Sequence, residues 1–294
     1  ITELRLHGIA KDDAEAARKA LLAGIDMDMM GDVYHKHLAN EVKAGRVPVK
    51  ALDEAVRRVL RVKYHLGLFE RGDVDVAAAP SLMQMEEARK VARQAAREGV
   101  ILLRNDKATL PIAPSVKSVA VIGAMAVPED ERVWTDPAGL GRRLVQPLPD
   151  ALREQLPADV TVAYEPAFTR NCGTEFKDKE AAVKTAAAAD LVVAMLGEDC
   201  EFMGEGASRT DLGLPGVQQE LLAALVETGK PVVLVLATGR PLVLTWADKH
   251  VAAIVQTFHG GTEGRAAIAE VLAGKVNPAG RVPMSFPRSV GQIP

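Results

Sequence analysis

The chain has 294 residues, of which 48% are apolar and 26% charged, with a formal net charge of −3. That length fits about two domains, and the composition is that of an ordinary globular protein. The charge balance, without a dense Lys/Arg stripe, gives no electrostatic case for a nucleic-acid partner. No apolar run approaches the roughly 20 residues that span a bilayer, so no membrane partner is expected. Cys172 and Cys200 are too few for a disulfide framework and are read as unpaired thiols.

In chain order, residues 12–23 (DDAEAARKALLA) read as a helix with acidic residues in its first turn, ended by Gly24. A short IDMDM run follows, then a second helix over 33–43. His35 and His37 stand two apart, which on a helix puts them on different faces, so no metal site is expected. Residues 50–66 read as a third helix, with Leu52, Val56, Val59, Leu60 and Tyr64 at helical spacing. Near 70–80, Gly, Asp, Ala and Pro recur without a period, which reads as a linker. Ser81 is placed as the cap of a helix running to about 98.

Beyond it, apolar strand candidates fall at 100–103, 118–122, 160–164, 191–196, 232–237 and 252–257. Helical patterns lie between many of them, at 148–155, 178–189, 215–228 and 262–273. Such alternation argues for a mostly parallel sheet covered on both faces. Residues 81–294 are therefore expected to form one three-layer α/β domain, while 1–70 are mostly helical and too few for an independent core.

The most informative stretch is 190–215, DLVVAMLGEDCEFMGEGASRTDLGLP. A mostly β-branched apolar run stops at Gly197 and opens into a loop carrying Glu198, Asp199, Glu201, Glu205, Arg209 and Asp211. Pro215 is expected in the first turn of the next helix, where its missing N–H costs little. In open α/β sheets ligands collect outside the carboxyl ends of the strands, which makes this a candidate active-site loop. Glu205 lies between Gly204 and Gly206, whose backbone freedom brings a side chain close to a ligand. Spacing alone leaves open whether Glu205 is functional or a solvated loop acid. Arg209 is expected to pair with Glu205 or Asp211.

Trp134, on the loop after SVAVIG, reads either as a platform for the apolar face of a sugar or as a packing residue. Trp246 reads as core packing. HGGTEGR holds three glycines, but no GxxxxGK[ST] exists in the chain, so it reads as a turn into a helix with Thr262 as its cap. ATGRP at 237–241 reads as a tight strand exit.

Taken together, the segments AGIDMDM, VKYHLGLFE, GVILLRND, VAVIG, LVVAMLGE, GEGASRTDLGLPGVQQELL and GGTEGRAAIAEVLAGKVNPAGRVPMSFPRSVGQIP resemble glycoside hydrolase family 3, the β-glucosidase and β-xylosidase family. The likeness runs nearly end to end. It implies an α/β protein: a remnant of a (β/α)8-type barrel in 1–70 with GIDMDM as its last strand, a linker at 71–80, and an α/β sandwich domain in 81–294. It further implies hydrolysis of terminal β-linked sugars by a retaining two-carboxylate mechanism, with a small saccharide or β-glycoside as partner and no cofactor.

By that resemblance Glu205 fits the family's acid/base glutamate, with Glu198 and Glu201 as rivals. The family nucleophile, an aspartate in SDxxAI, is expected upstream of Ile1, so none is assigned here and the chain alone is expected to be inactive. Trp134 resembles the aromatic of the aglycone side, Asp28 and Met29 fall near the pocket floor, and Arg209 is assigned to substrate binding. A non-catalytic carbohydrate-binding or scaffold module is the alternative. The glycoside and the oligomeric state stay open, and a periplasmic or secreted placement is favoured over a cytoplasmic one.

Overall fold

The computed structural model describes residues 1–71, 73, 75–78, 86–127, 145–169, 173–198 and 202–293. Two units are separable, Ile1–Val76 and Ala77–Pro294. The first is built on three helices: α1 (Asp13–Leu22), α2 (Val33–Lys43) and α3 (Val49–His65). Asp12 caps α1 by accepting the Glu15 N–H at 2.8 Å, which satisfies one of the orphan donors of the first turn. Ala17, Leu21, Val33, Leu38, Val47 and Ala55 form the core. Glu41 enters it as a paired charge, accepting from Arg46 at 2.6 and 2.9 Å and from Arg18 at 3.0 Å. A buried carboxylate is tolerated only with such partners.

The barrel strand expected at GIDMDM is not formed. A strand needs ladder partners for its N–H and C=O groups, and no strand is present among the described residues of this unit. The segment is instead absorbed into helix termini. Ile25 N donates to Ala20 O at the end of α1 (3.0 Å), and the Asp28 carboxylate accepts from Val33 N and Tyr34 N (2.6 and 3.4 Å) at the start of α2.

The second unit holds one six-stranded sheet: β1 (Ile101–Asn105), β2 (Ser118–Ile122), β3 (Thr161–Glu165), β4 (Leu191–Gly197), β5 (Val232–Ala237) and β6 (Ala253–Gln256). The order is β1-β6-β5-β4-β2-β3, and each neighbouring pair is parallel except β1 with β6. β4 and β5 are buried along their whole length, which is why they read as unbroken apolar runs.

Among the described residues the unit's helices are α4 (Glu86–Gly99), α5 (Leu148–Gln155), α6 (Lys179–Ala188), α7 (Gln218–Glu227), α8 (Ala247–His250) and α9 (Gly264–Leu272). One face of the sheet, with Val121, Val193, Met195 and Val235, packs on Leu148 and Leu152 of α5 and Ile268 and Leu272 of α9. The other, with Ile122, Val192, Leu196 and Leu234, packs on Ala182 of α6 and Leu221, Leu222 and Leu225 of α7. The result is the three-layer arrangement that the alternating pattern implies. No residue of α4 is buried, and its arginines dock it by charge: Arg89 and Arg93 on Glu263, and Arg97 on Glu270.

Two local expectations change, and a third is not tested. Pro215 precedes α7 rather than opening it, its carbonyl accepting from Gln218 N at 3.3 Å. Thr262 caps nothing, because a 3₁₀ turn (Gly261–Glu263) runs straight into α9 and already contains it. The expected cap Ser81 lies outside the described residues. Trp246 packs against the core, as read from sequence, and stacks on His250 with ring centroids 4.3 Å apart.

Candidate active site

In an open parallel sheet a crevice forms where adjacent strands send their chains in opposite directions. Here β2 leads to β3 on one side and β4 leads to β5 on the other, so the switch lies between the carboxyl ends of β2 and β4. The loop after β2 carries Trp134, which lies outside the described residues, as do Asp199, Cys200, Glu201 and Cys172. The loop after β4 is therefore the part of the crevice that can be built residue by residue.

The exit of β4 is fixed from two directions. The carboxamide of Gln218, on α7, accepts from Gly197 N at 2.7 Å and donates to Gly197 O at 2.9 Å. Gly197 has φ 145, and Glu198 N then donates to Ala237 O at the end of β5 (2.9 Å). The chain thus leaves the sheet tied to two neighbours.

Glu198 points inward and is fully buried. Its carboxylate accepts from Arg209 Nη1 at 2.7 Å and from Gly239 N at 3.2 Å, and Arg240 Nε lies 3.2 Å away. The two guanidiniums have further work. Arg209 Nη2 donates to Gly213 O at 3.0 Å, and its guanidinium lies 4.9 Å over the Phe202 ring. Arg240 Nη2 donates to the carbonyls of Phe202 and Ala207. Asp211 is turned to its own backbone, accepting from Gly213 N at 2.8 Å. Arg209 therefore pairs with Glu198, not with Glu205 or Asp211, because the buried carboxylate needs a counter-charge and the exposed ones do not.

Glu205 stands at the tip of this loop, exposed, between Gly204 (φ 114) and Gly206 (φ 78). Both glycines take left-handed backbone that other residues avoid, and the turn they make closes with Ala207 N on Gly204 O and Ser208 N on Gly206 O (both 3.1 Å). No hydrogen bond or ion pair holds the Glu205 carboxylate among the described residues. A cleft of about 670 Å³ lies beside the loop, lined by Leu212, Arg240, Pro241 and Phe286 among others, and Glu205 is not part of its lining.

The remaining sequence-derived residues belong to the first unit. Asp28 has a nearly buried side chain and turns one carboxylate oxygen to the α2 terminus. Met29 is 83% exposed. Sequence reading missed Arg240 and Gln218, both of which organise the loop from distant elements. Their traces were the GRP of the β5 exit for Arg240 and the GVQQ of the family-like segment for Gln218.

Residues 100–294 match the Glycosyl hydrolase family 3 C-terminal domain, and residues 3–62 match the Glycosyl hydrolase family 3 N terminal domain. The chain is 39% identical to a periplasmic beta-glucosidase of Salmonella typhimurium, over 100% of this chain and 41% of that protein. It is 35% identical to a beta-xylosidase of Formosa agariphila, over 98% of this chain and 42% of that one. The crystal structure of beta-glucosidase from Listeria innocua in complex with glucose aligns with a TM-score of 0.80 at 33% identity, covering 99% of this chain and 39% of that one. The chain spans about two-fifths of the length of these relatives.

Proposed function

The chain belongs to glycosyl hydrolase family 3, and from that premise we propose that its α/β unit supplies the acid/base of a retaining β-glycosidase, with Glu205 in that role. The observation that carries the assignment is the state of the three described carboxylates of the loop. Glu198 is buried and paired with two arginines, Asp211 is engaged by Gly213 N, and Glu205 alone is left without a partner. A group that gives a proton to the substrate and takes one back must be free to reach it. Two glycines and a tight turn present it on the sheet's carboxyl side.

In such a reaction an attacking carboxylate and the proton donor stand about 5–5.5 Å apart across the scissile bond. Glu205 protonates the departing oxygen as the anomeric carbon is attacked, then deprotonates the water that releases the sugar. The attacking carboxylate is assigned to no residue of this chain. The relatives named beta-glucosidase and beta-xylosidase, and the glucose held by the Listeria innocua enzyme, support a terminal β-linked glucoside or xyloside as substrate. The periplasmic relative supports a site of action outside the cytoplasm.

Glu205→Gln in the complete glycosidase tests the assignment. Turnover of an alkyl β-glucoside is expected to fall about 10²–10⁴-fold, the range of general acid–base catalysis. Added azide is expected to trap the glycosyl group as the β-azide. Near-normal hydrolysis of the alkyl glucoside by this variant would reject Glu205.

A further inference from the structure

We propose that Glu198, once a rival for the proton donor, is instead the positioning residue that holds the Glu205 turn against the sheet, acting through Arg209 and Arg240. This rests on the assignment of Glu205 as acid/base. The carboxylate follows directly on β4 and is buried beside the β5 exit, so it is as fixed as the sheet itself. From that point the two guanidiniums reach out along both legs of the loop. Arg240 ties the carbonyls of Phe202 and Ala207, which lie on either side of Glu205, while Arg209 ties Gly213 O and covers the Phe202 ring. Among the described residues the other hydrogen bonds of 203–208 are local to the turn. The polar ties that place the turn relative to the strands therefore converge on one buried charge and the two cations it binds, with Met203 also lying against Gly239 at the β5 exit.

Removing that charge leaves two partly buried guanidiniums without their common partner, which is a strong perturbation of a small site. Arginine's planar fork is what lets one side chain hold a carboxylate and two carbonyls at once, and lysine cannot reproduce it. A displacement of about 1 Å at a reacting group costs up to about 10²-fold in rate, so a slack turn is a catalytic lesion even when the fold persists.

The test compares Glu198→Gln and Arg240→Lys with Glu205→Gln in the complete glycosidase, each on an alkyl β-glucoside and on the 2,4-dinitrophenyl β-glucoside. The alkyl leaving group needs protonation and the dinitrophenolate does not. Glu198→Gln is expected to lower kcat/KM for the alkyl substrate about tenfold or more beyond its effect on the dinitrophenyl one. Arg240→Lys is expected to show the same selectivity and carries the test if Glu198→Gln does not fold. Equal losses on both substrates in a folded variant overturn the inference, since a merely structural lesion does not distinguish leaving groups. If Glu205→Gln shows the selectivity and the other two do not, positioning falls and the proton donor stands. If Glu205→Gln lacks it, both fall. In the 294-residue chain, Glu198→Gln should speed hydrogen exchange across 202–213 and leave β4 and β5 protected. Unchanged exchange in that loop counts against the proposal.

Discussion

A Cβ at Gly197 would fall 2.0 Å from the carbonyl oxygen of Ala237, and the residue's φ of 145 is one that side-chain-bearing residues rarely adopt. Both effects act at the point where β4 hands the chain to the candidate loop. Gly197→Ala is therefore expected to destabilise the second unit by about 2–4 kcal/mol, combining backbone strain with overpacking against a central strand. A urea midpoint unchanged from the parent would count against this. Glu198 and Glu205 illustrate what a sequence reveals at this scale. Both are acids on the same loop, and glycine flanks single out Glu205. Glu198 pairs with Arg240, some forty residues away by number and adjacent only because β5 pairs with β4. Local pattern carries no record of such a pairing.

Between elements, the charges that matter are the ones drawn inside. Glu41 on α2 is held at about 2, down from an ordinary 4.5, first by its hydrogen bonds to Arg46 and then by Arg18 against the opposing cost of burial. Folded, it stays ionised where the unfolded chain has begun to take up a proton. Its stabilisation is thus complete above about pH 4.5 and is lost as pH falls toward 2. Glu270 on α9, held below its usual range by Arg97, acts with the same sign on the docking of α4. We expect protection of the α1 and α2 amides to decline across that window, and Glu41→Gln to flatten the decline while lowering protection at neutral pH. An identical pH slope in parent and variant would sink this. The helices themselves were legible: Val33–Lys43 and Leu148–Gln155 have the bounds read from sequence. GIDMDM was not: the family resemblance implied a strand there, and whether a strand forms depends on neighbours rather than on its own residues.

At the scale of the whole molecule, alternation of apolar runs with helical periods revealed a parallel sheet, but not its order. The antiparallel edge of β1 on β6 and the switch between β2 and β4 are long-range choices that no window of sequence contains. That order decides how self-sufficient each unit is. Residues 77–294 enclose core on both faces of the sheet, with α5 and α9 on one side and α6 and α7 on the other. The core cluster of residues 1–76 holds six buried apolar side chains, four of them alanine or valine beside Leu21 and Leu38, while Leu6, Met27, Met29 and Met30 are 70–94% exposed. A core so small rarely supplies more than about 3–5 kcal/mol. The division proposed from sequence then has a physical consequence: a chain starting at Ala77 should unfold cooperatively on its own, whereas 1–76 alone should show little amide protection and should bind a dye such as ANS. A cooperative melt with slow exchange in isolated 1–76 would mean that three helices around Val33 and Leu38 are a domain in their own right, and the boundary would have to be argued again from that result.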